Sequence, residues 1–137
     1  MRTVFVDTSG YYAFLDRTDR YHAEAVRHFQ RAEDEGWQLL TSLFVVHESW
    51  ALIQTRLGWD AVEDWLGALV SRSEVIWVDP GVYSAAAARA RQARERRLSL
   101  TDCASFEIMR ARGCGEFIGD DEHFTQQGFH SPNLPTD

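Results

Sequence analysis

Residues Thr3–Val6 are β-branched, apolar or aromatic at successive rather than alternate positions, and the run stops at Asp7. A strand wetted on one face alternates in polarity. An unbroken run reads instead as a strand covered on both faces, as in parallel sheets flanked by helices. Similar short runs recur at 37–41, 74–78 and 116–118, with a further candidate at 129–134. Between them the period becomes helical. Helices are expected over Thr8–Leu15 and 21–35, the latter with Ala25, Val26, Phe29 and Ala32 inward and Arg27, Arg31 and Asp34 outward. Others are expected over Leu43–Leu57, apolar on nearly every side, and over 60–70, 80–97, 101–112 and 120–127. Gly36, Gly58, Gly113 and Gly128 supply stops, and Asp79-Pro80 supplies a start. Strands alternating with helices imply an α/β/α sandwich with a central parallel sheet of four to five strands and right-handed crossovers. Such sheets bind ligands at the carboxyl ends of their strands, so the residues after each strand carry the functional question.

The chain of 137 residues, 45% of them hydrophobic, is sized for a single domain spanning 1–137. Its formal net charge is -7, and all fourteen of its Lys+Arg residues are arginine. Without lysine, a phosphate-loop lysine, a Schiff base and the lysine of a phospho-acceptor site are excluded. The acidic balance also counts against a generic nucleic-acid coat, which needs a basic surface to replace counterions. Cys103 and Cys114 stand apart and read as structural residues in a reduced, cytoplasmic setting. No apolar run approaches the roughly 18 residues of a membrane helix, and the opening residues do not make a targeting segment.

Asp7 follows the first strand, and Asp120-Asp121 follow the fourth. Each alone is more simply a helix N-cap. Glu48 lies one turn from Phe44, Ala51 and Leu52, so its carboxylate shares a flank with apolar groups and needs a partner, either an arginine or a metal. Asp102 sits in Ser99-Leu100-Thr101-Asp102, which also matches a capping box. Together, Asp7, Glu48, Asp102 and Asp121 form an oxygen-only donor set suited to Mg2+ or Mn2+ and unsuited to zinc. Converging carboxylates repel one another unless cations neutralise them, and the natural substrate of oxygen-ligated Mg2+ is a phosphate ester.

The strand leading into Asp7-Thr8-Ser9-Gly10, the entry Thr41-Ser42-Leu43 to Glu48, the segment Leu98-Ser99-Leu100-Thr101-Asp102 and the ending Asp121-Glu122-His123-Phe124 to Gly128-Phe129 resemble a PIN domain, in particular the VapC-type toxins. The resemblance covers nearly the whole chain. It implies a Rossmann-like sandwich whose acids bind Mg2+ or Mn2+ and hydrolyse single-stranded or loop RNA. It further implies Asp7 and Asp102 as principal ligands completed by Glu48 and Asp121, a cognate antitoxin in the acidic groove, and a homodimer. Asp120 stands beside Asp121 as the alternative acid. Where that family often carries Ser or Thr two residues before the fourth acid, this chain has Gly119, and Thr8 or Ser9 would have to supply the hydroxyl.

Other readings are weaker. An aspartate-nucleophile phosphatase wants an acid at Ser9 and a later lysine. His22 and His123 read as packed or capping residues rather than general bases. Arg89, Arg91, Arg94, Arg96 and Arg97 are expected on one solvated helix face, or, with Arg17 and Arg20, as a basic rim for RNA phosphates. The tryptophans Trp37, Trp50, Trp59, Trp65 and Trp77 are expected mostly in the core or an interface. Against the nuclease stands a PIN-like domain that binds RNA or protein without cutting, a reading that Gly119 motivates.

Overall fold

A computed structural model describes residues 1–133. Four strands, β1 (Thr3–Val6), β2 (Gln38–Ser42), β3 (Ser73–Ile76) and β4 (Phe117–Ile118), form an entirely parallel sheet in the order β3-β2-β1-β4. Val4, Phe5 and Val6 have no accessible surface, so both faces of β1 are covered, as its unbroken apolar run requires. The chain steps outward from β1 to β3 and then returns to the other side of β1 for β4. The switch in direction therefore falls between β1 and β4, where open α/β sheets form their ligand crevice.

Seven helices accompany the sheet among the described residues: α1 (Thr8–Leu15), α2 (His22–Glu35), α3 (Leu43–Leu57), α4 (Trp59–Ala68), α5 (Pro80–Ala93), α6 (Leu100–Ala111) and α7 (Glu122–Gln126). Gly10 lets α1 pass directly over the end of β4, since a Cβ there would lie 2.8 Å from the carbonyl carbon of Ile118. With five residues, α7 is too short to persist alone. It is pinned by Phe124, which stacks on Phe117 at 4.7 Å and meets Phe106 edge-on at 5.0 Å.

Several expectations are corrected. The apolar run at 74–78 leaves the sheet after Ile76, because β3 is an edge strand paired only with β2, and Trp77 projects into solvent at 74% exposure. Trp59 is also exposed at 55%, whereas Trp37 and Trp65 are buried. Val26 lies at the surface although Ala25, Phe29 and Ala32 face inward. The arginine-rich helix ends at Ala93 rather than 97, with Arg94 left-handed at φ 49°, so Arg94, Arg96 and Arg97 belong to a loop. The candidate fifth strand reduces to a parallel bridge between Glu116 and His130, and Leu134 lies outside the described residues. Cys103 and Cys114 are buried and unpaired. No helix among the described residues is long and apolar enough to cross a membrane.

Candidate active site

Asp7 occupies the N-cap position of α1, yet its side chain makes no capping bond. Its carboxylate accepts instead from the Ser9 hydroxyl at 2.8 Å, and the same Ser9 Oγ accepts from the Asp120 backbone N–H at 2.9 Å. One hydroxyl thus ties the end of β1 to the loop after β4. Only 4% of Asp7 is exposed, and burial, aided by the charges of Asp102 and Asp121, pushes its carboxyl up to about 7. The simple N-cap reading therefore fails at Asp7. A cap is a surface carboxylate satisfied by backbone N–H groups, whereas this one is buried among other acids.

The Ser99 capping box is present: Asp102 N–H donates to Ser99 Oγ at 3.0 Å, and Ser99 N–H donates to Asp102 Oδ2 at 3.2 Å. This bond engages one oxygen and orients the carboxylate. Asp102 is buried too, and burial together with Asp121 and Glu48 pushes it up to about 6. Asp121 caps α7 through the His123 N–H at 2.9 Å and also faces His123 Nδ1 at 2.9 Å. The other ring nitrogen of His123 meets Glu95 Oε1 at 2.8 Å. Two carboxylate partners suit an imidazolium that donates twice, and the Glu95 contact raises the His123 pKa accordingly. One donor atom each from Asp102, Asp121 and His123 lie within 4.8 Å of one another. Because both His123 nitrogens are engaged, the free oxygens of this group belong to the aspartates.

The structure brings Asp7, Glu48, Asp102 and Asp121 onto one cavity of about 320 Å³, with Thr8, Arg56 and Arg97 also in its wall. Glu48 is exposed there, with Leu52 in the same wall, and it has no hydrogen-bond or ion-pair partner among the described residues. Asp120 points away, paired with Arg20 at 2.8 Å. Arg89 is committed to Glu107 across α5 and α6, and Arg17 does not reach the cavity. His22 anchors α2 to α1 through Ala13 O at 2.7 Å. His123 was underrated by its neighbours in sequence, since its role depends on Glu95, 28 residues away. A second cavity of about 320 Å³, lined by Phe14, Phe29, Trp37 and Leu69, carries no acid cluster.

Two observations bear on whether a metal fits. Among the described residues, the carboxylates of the cavity have no arginine within ion-pair distance, and the buried Thr8 hydroxyl in the cavity wall has no hydrogen-bond partner. A hard divalent cation takes oxygen donors of this kind and relieves their repulsion. Gly119 has a physical reason as well. A Cβ there would lie 2.9 Å from Ser9 Oγ and 3.1 Å from Asp7 Cβ, so Ser9 already fills the place that a side chain at 119 would take.

A parallel sheet ordered β3-β2-β1-β4, with acids gathered where β1 and β4 end, matches the PIN-domain fold, as the sequence resemblance implied. Among solved structures, the chain is similar to Mycobacterium tuberculosis VapC20, described as a sarcin-ricin loop cleaving toxin, at 26% identity and a TM-score of 0.78, covering 92% of this chain and 95% of that one. No protein-family model matches the sequence, and no curated protein matches it.

Proposed function

We propose that this chain is a divalent-metal-dependent endoribonuclease and the toxin of a type II toxin–antitoxin pair. The observation that carries the reading is the convergence of Asp7, Glu48, Asp102 and Asp121 on one cavity, with Asp7 buried and without an ion-pair partner among the described residues. The likeness to a VapC toxin supports RNA as the substrate. In this reading Asp7 and Asp102 are the principal ligands of Mg2+ or Mn2+, and Glu48 and Asp121 complete the set. The metal would supply Lewis-acid chemistry for phosphodiester hydrolysis.

The chain's own residues do the rest. Ser9 holds Asp7 in place against the loop after β4, Ser99 holds Asp102, and the His123 imidazolium holds Asp121. The motive for a non-cutting binding module was the missing hydroxyl at 119, and Ser9 supplies a hydroxyl to Asp7. We further propose a cytoplasmic homodimer restrained by a cognate antitoxin that covers the acidic cavity. The test is incubation of structured RNA with the chain in Mn2+ or Mg2+, beside Asp7→Asn. Cleavage by the parent and at least a hundredfold less by the variant is expected; no cleavage, or equal cleavage, overturns the proposal.

A further inference from the structure

Six of the fourteen arginines are engaged in ion pairs among the described residues, and of the other eight only Arg56 and Arg97 line the cavity that holds Asp7 and Asp102. Arg2, Arg20, Arg31, Arg72, Arg89 and Arg112 each hold a carboxylate. Arg56 and Arg97 hold none among the described residues, although both stand in the wall of the cavity that carries Asp7, Glu48, Asp102 and Asp121. Arg56 comes from the last turn of α3, with its guanidinium 5.6 Å from the Tyr12 ring. Arg97 comes from the loop between α5 and α6, which Glu95 ties to His123. Arg97 also lines a neighbouring cavity of about 550 Å³ that it shares with Arg20, Asp120 and Asp121. In that second cavity Arg20 meets Asp120 through Nε, which leaves the terminal fork of its guanidinium uncommitted.

An arginine beside carboxylates it does not pair with is arranged for a ligand that also engages the carboxylates' own partner. A phosphate strand does this: its charge meets the guanidinium fork while the acids keep their cation. We infer that Arg56, from α3, and Arg97, from the loop before α6, each bind a backbone phosphate beside the acidic cluster, with the Arg97–Arg20 cavity taking the strand as it leaves. This rests on the ribonuclease reading and adds to it the path of the substrate.

The test uses a fluorescein-labelled single-stranded RNA and the full chain carrying Asp7→Asn, so that binding is read without cleavage. Arg56→Ala and Arg97→Ala are compared with Arg91→Ala, which removes an exposed arginine that lines neither cavity. Each cavity variant should weaken binding about tenfold and lower the slope of log K against log salt by about 0.7, the value for one phosphate of a single strand. Arg91→Ala should do neither, and all should melt as the parent does. In the cleaving background the same two variants should raise KM with kcat held within about twofold. Parental binding and slope in both cavity variants, or equal losses in Arg91→Ala, overturn the inference. So does arginine-dependent binding of a polyglutamate peptide without arginine-dependent binding of RNA. A parent that cuts RNA while the variants bind normally overturns the inference alone; a parent that neither cuts nor binds RNA overturns the function beneath it as well.

Discussion

Replacing Asp7 with Asn should make the metal-free protein more stable at pH 8. The Asp7 carboxyl is raised from its ordinary 3.8 to about 7, first by burial and then by Asp102 and Asp121. Between those values the folded state keeps a proton that the unfolded chain releases, so stability falls as pH rises through the window and stays lost above it. Each pH unit of separation is worth about 1.4 kcal/mol, so forcing Asp7 to ionise costs the fold about 4 kcal/mol. Asn keeps the shape, carries no charge, and can still accept from Ser9 through its amide oxygen. With some of the cost recovered by local hydration, Asp7→Asn should gain about 2 to 4 kcal/mol at pH 8 in chelator, roughly 10 °C in Tm. Near pH 4 the gain should shrink below about 1 kcal/mol. His123 contributes in the same direction, because its raised pKa gives stability that is present below about 6.5 and lost as pH rises through the folded value, but it is common to both proteins. Millimolar Mn2+ should reverse the order at pH 8 by raising the parent's Tm and leaving the variant's nearly unchanged. Calorimetric melts at both pH values, with and without metal, decide the matter. A variant equally destabilised at pH 4 and pH 8, or stabilised by Mn2+ as much as the parent, refutes the reasoning.

Ser9→Ala should cost about 1 to 3 kcal/mol by leaving the buried Asp7 carboxylate without its hydroxyl donor, and by untying the loop after β4 from β1 it should slow RNA cleavage. Gly119→Ser alone should also impair, whereas Ser9→Ala with Gly119→Ser should recover activity, since the hydroxyls compete for one place; a double variant no better than Ser9→Ala sinks this account. Phe124→Ala should cost about 3 to 5 kcal/mol in denaturant melts and abolish metal-induced stabilisation, because the aromatic cluster is what holds α7 and Asp121 in position, while Phe124→Leu should retain both. Gly10→Ala should cost about 1 to 3 kcal/mol by driving α1 off the end of β4, read as a lower denaturant midpoint at unchanged slope.

What the sequence discloses, and what it withholds, follows from the range of the forces involved. Thr3–Val6 announces β1 because burial on both faces shapes every residue of the run, and the Ser99 capping box is complete within four residues. The end of α5 has no local signal, since Arg, Gln and Ala continue past it with good helix propensity. The chain turns at Arg94, and the next residue, Glu95, meets His123, a contact that no window around 94 contains. Trp77 misleads for a related reason: an apolar run says that a strand is buried but not that it lies at a sheet edge. Glu48 has apolar neighbours along its helix, yet the topology leaves its own position open to the cavity.

The net charge of -7 changes meaning in the same way. As a sum it argues against a polyanionic partner. As a distribution it places five of the 21 acids, Asp7, Asp19, Glu48, Asp102 and Asp121, around one cavity, where divalent cations would offset them, and sets Arg56 and Arg97 in the wall of that cavity without an ion-pair partner among the described residues. A polyanion approaching the folded chain meets that local arrangement, because beyond about 8 Å at physiological ionic strength the remaining acids are largely screened.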